Sequence, residues 1–176
     1  MNPAYSIIFF TTASGAGYGL LAALGLCAWQ GTLPESTGFA VLSLLLGLGL
    51  VTTGLLSSTF HLGHPERAWR GLTQWGSSWL SREGVAAVLT YIPVILLGYF
   101  WAVRGEATGA VQWAGCFTLL GAIVTVICTG MIYASLRAVP MWYTKWVPWC
   151  YLAIGAMTGM LWLLVLAAPG CERRLV

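Results

Sequence analysis

The chain is expected to fold as an all-α integral membrane bundle of five transmembrane helices, and three observations lead there. Hydrophobic residues make up 59% of the 176 positions while charged residues supply only 7%. A soluble domain carries roughly 25% charged residues because its surface must be solvated, so water is the wrong solvent for this exterior. The mean hydropathy of +0.82 is gathered into five long runs rich in Leu, Ala and Gly. Their residues do not alternate with period two, which favours helices over an outer-membrane barrel.

Each run reaches the length of about 20 apolar residues that a spanning helix needs. They cover 7–29, 38–62, 84–103, 110–136 and 147–168. The fourth is long enough to tilt or to project beyond the lipid. Residues 1–5 lack a basic stretch, which speaks against a cleaved signal peptide and for retention of the first helix. With no evident repeat or linker, residues 1–176 read as a single membrane-anchor domain.

The connections differ in character. Residues 30–36 and 104–109 read as plain turns, with Glu35 and Glu106 as solvated loop acids. Residues 61–83 are longer. Pro65 suits a first helical position and Glu66 the positive end of a short helix, and Ser81 is placed to cap the third span. This connection and the one at 137–146 fall on the same membrane side. Together they hold His61, His64 and five of the eight basic residues, beside Trp69, Trp75, Trp79, Trp142, Tyr143, Trp146 and nearby Trp149. Indole rings favour the headgroup level. The opposite side offers mainly Trp29, Trp101 and Trp113, so the excess marks a working face.

Small residues recur at close-packing spacing. Gly15 with Gly19 and Gly155 with Gly159 form GxxxG pairs, which let helix backbones approach.

Seven Arg and one Lys against five Glu and no Asp give a net charge of +3. That is too small and dispersed for a nucleic-acid surface. The five cysteines form no CxxC pair, so they read as small packing residues rather than thiolates for zinc or an iron–sulfur cluster. Haem is disfavoured as well, because the two histidines lie three residues apart and cannot supply opposite axial ligands.

Ionisable groups near membrane depth are costly and tend to be functional. His61 closes the second span and Glu83 opens the third, at one boundary. Ser57 and Ser58 lie a turn before His61, and Arg67 and Arg82 are available as counter-charges. Such a set suits a quinone site, where a histidine near neutrality and a carboxylate exchange protons with the ring oxygens. The plainer alternatives are His61 as a helix-end hydrogen bonder and Glu83 as an acid favoured by the helix dipole.

The run His61-Leu62-Gly63-His64-Pro65-Glu66-Arg67-Ala68, the Ser81-Arg82-Glu83 start of the third span and Val139-Pro140-Met141-Trp142-Tyr143 resemble the membrane anchor subunits of DMSO reductase-type molybdoenzymes. The opening Pro3-Ala4-Tyr5-Ser6-Ile7-Ile8-Phe9 is similar to members associated with sulfite dehydrogenase. The resemblance implies a quinone-reactive anchor, using menaquinone or ubiquinone. Its partners would be an iron–sulfur electron-transfer subunit and a molybdopterin catalytic subunit, acting in sulfite oxidation or DMSO-type reduction. Haem, iron–sulfur cluster and molybdenum would be absent from this chain itself. It further implies that His61 and Glu83 are the quinone-site residues, with Arg67 and Arg82 as docking, site or structural charges. The family usually has eight membrane helices, and the five spans here correspond to its first five.

The implied location is a bacterial plasma membrane. Five basic residues on the side of the N-terminus and His61, against three on the other, put that side in the cytoplasm. A purely structural tether without a quinone site, or a small transporter, remain the competing classes.

Overall fold

A computed structural model describes residues 3–59 and 72–172, and among them every regular element is a helix. The helices are α1 (Pro3–Gln30), α2 (Thr37–Thr59), α3 (Trp79–Gly98), α4 (Ala110–Ala134) and α5 (Val147–Glu172). A one-turn 3-10 helix, Leu72–Gln74, precedes α3, and a wider π turn, Tyr99–Val103, continues it. Among the described residues, five segments are long and apolar enough to cross a membrane: Tyr5–Gln30, Thr37–Thr59, Trp79–Val103, Ala110–Ala134 and Val147–Ala168. This is a multi-pass membrane protein with the all-α architecture expected from the sequence.

α1 is the hub. It packs along α2, α4 and α5, while α3 reaches the bundle through α4. Half of the α1 span is buried but only 11% of the α5 span. The hub works because α1 presents a small residue on each of three faces. A Cβ at Gly19 would run into the Gly155 carbonyl, and one at Gly159 into the Gly19 backbone, so the two GxxxG pairs face each other across α1 and α5. A Cβ at Gly25 would lie 2.6 Å from the Gly115 oxygen on α4, and one at Gly17 2.9 Å from the Gly47 oxygen on α2. Without a hydrophobic force between helices in lipid, such close backbone approach is what favours association.

The turns are held by specific bonds. Gly31 closes α1 at φ 70°, with its N–H donating to the Ala28 carbonyl at 3.1 Å and that of Thr32 to Cys27 at 2.9 Å. This paired pattern requires a left-handed residue, a role in which glycine is unstrained. The sequence places Trp101 in the far aromatic belt. The π turn instead carries it into the core, 4% exposed, where its indole N–H donates to the Pro34 carbonyl at 3.0 Å. An edge-on contact with Phe39 completes its surroundings. Trp29 and Trp113 are exposed as a belt requires. Glu106, expected as a solvated acid, pairs with Arg104 at 2.7 Å on the surface.

α3 begins five residues before the span start expected from hydropathy. Ser78, not Ser81, is its N-cap: the Ser78 hydroxyl accepts from the Ser81 N–H at 3.5 Å. The hydropathy boundary misplaces the start because Arg82 and Glu83 lower the average across a turn that is already helical. That shift puts Glu83 inside the helix, a full turn below its mouth.

Candidate functional site

Glu83 projects from α3 into the bundle and is 3% exposed. Its Oε1 accepts a hydrogen bond of 2.6 Å from the Thr129 hydroxyl on α4, which is itself buried. Among the described residues no cation lies within ion-pair distance of this carboxyl. A buried carboxyl whose partner among the described residues is a neutral hydroxyl is costly to ionise, and polar groups at membrane depth tend to be functional.

Glu83 belongs to a buried polar stripe. Thr90, two turns along α3, shares a 3.3 Å hydroxyl contact with Thr125 on α4. Thr125 also bonds back to the Gly121 carbonyl at 2.8 Å, and the Thr129 Oγ1 lies 3.1 Å from the Thr125 carbonyl oxygen as an alternative acceptor. From α1, Tyr18 enters the same region 2% exposed, facing Thr125 and Glu83, and its hydroxyl has no hydrogen bond of good geometry among the described residues. On the boundary side, Tyr133 of α4 stacks on Tyr151 of α5 with centroids 5.5 Å apart. Trp142 meets Tyr133 edge-on at 5.5 Å.

Arg82 does not pair with Glu83, because successive helix positions point about 100° apart. Its Nε donates to the Trp75 carbonyl at 2.8 Å and one terminal nitrogen to Gly76 at 2.7 Å, while the guanidinium lies 4.3 Å above the Trp79 ring. Arg82 therefore ties the turn that follows the 3-10 helix to the start of α3. It also sits at the mouth of a lipid-open apolar groove of about 770 Å³ between α3 and α4, walled by Leu89, Pro93, Leu96, Phe117 and Val124. Glu83 does not line this groove; Thr90 and Cys128 stand at its floor. A smaller groove of about 470 Å³ between α4 and α5 is edged by Lys145, Tyr143 and Trp149.

His61 and Arg67, the other expected site residues, lie outside the described residues, as do His64 and Pro65. Thr59, the last described residue of α2, and Trp79, the first of α3, belong to the same membrane side, since two consecutive spans run antiparallel between them. Ser57 donates to the Ser6 carbonyl at 3.1 Å and Ser58 to Leu55 at 2.7 Å, so both hydroxyls are engaged by backbone. Among the described residues no cluster of three potential metal ligands occurs. The described cysteines are unpaired.

Sequence reasoning passed over Thr129, Thr125, Thr90 and Tyr18. A signal was present: Thr118, Thr125 and Thr129 fall on one helical face of an otherwise apolar span, and Glu83 and Thr90 stand seven apart on the preceding one. Each spacing is close to a whole number of turns.

Compared with known proteins, residues 1–173 match the family model described as DMSO reductase anchor subunit (DmsC). The chain belongs to that family. It is 37% identical over 175 residues to a sulfite dehydrogenase subunit of Allochromatium vinosum, an alignment that takes in 92% of this chain and 54% of that protein. It is 28% identical over 172 residues to a polypeptide of the anaerobic dimethyl sulfoxide reductase of Escherichia coli K12, with 96% and 59% aligned respectively. The like-named polypeptide of the Haemophilus influenzae reductase is 23% identical over 129 residues. The chain thus spans about half the length of the curated relatives it matches. No solved structure matches it.

Proposed function

We propose that this chain is the quinone-reactive membrane anchor of a molybdopterin oxidoreductase complex. It would exchange electrons between lipid-soluble quinone and an iron–sulfur partner subunit that serves a molybdopterin catalytic subunit. The observation that carries the reading is Glu83: a carboxyl buried one turn into α3 that, among the described residues, is held by a single hydroxyl and has no counter-ion. A quinone, when bound, supplies a couple of two electrons and two protons. In quinol oxidation the electrons pass to the iron–sulfur partner and the protons need an acceptor that can reach water; in quinone reduction both flows reverse and the ring oxygens need a proton donor. Glu83 provides that exchanging group from the bundle side, and His61 a hydrogen-bonding group at the same boundary.

Family membership supports the anchor role, and the relatives' names support sulfite oxidation or dimethyl sulfoxide reduction as the reaction of the whole complex. The apolar groove beside Arg82 supports access from lipid. Arg82 acts by holding that mouth, and Arg67 as a docking or site charge on the same face. The five-to-three distribution of basic residues supports a plasma-membrane orientation with the N-terminus and the His61/Glu83 face in the cytoplasm.

The test is turnover of the assembled complex with a quinone and, separately, with a soluble dye, for wild type, His61→Ala and Glu83→Gln at matched amounts of all three polypeptides. Quinone-linked turnover is expected to collapse in both variants while dye-linked turnover is kept. If both activities persist in both variants, the chain is a tether without a quinone site.

A further inference from the structure

The Thr129 hydroxyl has one hydrogen and two acceptors within reach. Its Oγ1 lies 2.6 Å from Glu83 Oε1 and 3.1 Å from the Thr125 carbonyl oxygen. A hydroxyl donates once and accepts through two lone pairs, so the two contacts cannot both be donated bonds at one moment. Which one is donated depends on Glu83. As a carboxylate, Glu83 only accepts, so Thr129 donates to it. As a carboxylic acid, Glu83 carries an O–H and turns donor. Thr129 Oγ1 then accepts that hydrogen and swings its own to the Thr125 carbonyl. Both states keep the Oγ1–Oε1 contact a hydrogen bond, although both side chains are buried.

We propose that Thr129 is a positioning residue that lets Glu83 take up and release a proton without leaving either side of that contact unpaired. The inference rests on the reading of Glu83 as the proton acceptor of the quinone site and goes beyond it by naming the device that makes the acceptor reversible. Without the hydroxyl, the carboxylate loses the one donor it has among the described residues, and the acid loses its acceptor. The charged form suffers more, because bonds to ionised groups are the stronger ones.

Among the described residues, the titratable groups that interact electrostatically with Glu83 are Tyr18 on α1, Cys128 and Tyr133 on α4 and Tyr151 on α5, with Arg82 as the neighbouring charge on its own helix. The phenols and the thiol are neutral near pH 7, so an isosteric change at Thr129 alters no charge around the carboxyl.

The experiment measures quinol-linked turnover of the assembled complex from pH 5 to 9 for wild type, Thr129→Val, Thr129→Ser, Thr129→Ala and Glu83→Gln. Dye-linked turnover normalises for assembly. Thr129→Val and Thr129→Ala are expected to move the acidic limb of the profile to higher pH by about one unit, the size set by one hydrogen bond to a charged group. Thr129→Ser is expected to overlay wild type, since it keeps the hydroxyl. If Thr129→Val assembles poorly, Thr129→Ala, which removes the hydroxyl without adding bulk, decides the matter. Profiles of both hydroxyl-free variants that overlay wild type while Glu83→Gln abolishes quinol-linked turnover would overturn the role of Thr129 and leave the quinone site standing. Full quinol-linked turnover in Glu83→Gln would remove the site itself, and this inference with it.

Discussion

Four glycines form the two GxxxG pairs of α1 and α5, yet the structure assigns them unequal weight. A Cβ at Gly19 would stand 2.6 Å from the carbonyl carbon of Gly155 and 3.2 Å from the Cα of Gly159, and would overlap the Gly155 oxygen outright. Ordinary contact begins near 3.4 Å, so the helices must part by at least about 0.8 Å to clear the carbon, and further to clear the oxygen. A gap of that size or more forfeits at least a quarter to a half of each dispersion contact along the seam. With only 11% of its span buried, α5 has few other contacts to retain it. Gly19→Ala and Gly159→Ala should each cost about 1–3 kcal/mol, the usual range for overpacking. Gly155→Ala meets only the Gly15 carbonyl, its oxygen at 3.3 Å, and should cost less. Gly15→Ala meets nothing within 4 Å and should be neutral, or slightly stabilising through helix propensity. Unfolding in detergent can be followed with a thiol-reactive fluorophore, since Cys27 and Cys116 are half-buried and Cys128 is buried, while exposed Cys150 gives the baseline. Equal damage from Gly15→Ala and Gly19→Ala would refute the packing argument.

Two further perturbations test the turns. Trp101→Phe keeps an aromatic ring but leaves the Pro34 carbonyl without its 3.0 Å donor. It should destabilise by about 0.5–1.5 kcal/mol, as for the loss of one hydrogen bond whose acceptor sits in an exposed turn, read in the same fluorophore assay. Arg82→Lys keeps the charge but not the geometry that reaches the Trp75 and Gly76 carbonyls together. Hydrogen exchange at Ser77 and Ser78, whose amides bond to the Gln74 carbonyl at 3.1 and 3.0 Å, should quicken while exchange in α4 stays unchanged. An unaltered rate there would mean that the guanidinium does not hold the segment.

The five spans were legible because bilayer thickness acts on each helix separately, so hydropathy alone located them within a few residues. Both GxxxG pairs were legible for the same reason, as spacing within one helix. Gly17, Gly25, Gly47 and Gly115 were not, because each matters only through a partner on another helix, and a single sequence holds no record of which helices meet. Trp101 shows the converse error: an indole near a span end reads as a belt residue, and only the π turn shows it rotated inward. At the site, Glu83 stood out because a carboxyl is conspicuous among apolar residues. Thr129 did not, since threonine in a membrane helix ordinarily bonds its own backbone, as Thr11, Thr12 and Thr53 do here. Only the meeting of α3 and α4 distinguishes it.

The central position of α1 has a consequence for the order of synthesis. α1 is made before all three helices it packs against, and two of them, α4 and α5, follow only after α3. Until they enter the bilayer, the backbone exposed at Gly19 and Gly25 faces lipid, and only the face toward α2 can close early. An unfinished polypeptide therefore displays a bare small-residue surface shaped to accept another helix. A second nascent copy is as able to occupy it as the proper partner. Crowded or stalled insertion should accordingly yield dimers joined through α1, and the completion of α5 is the event that withdraws that surface.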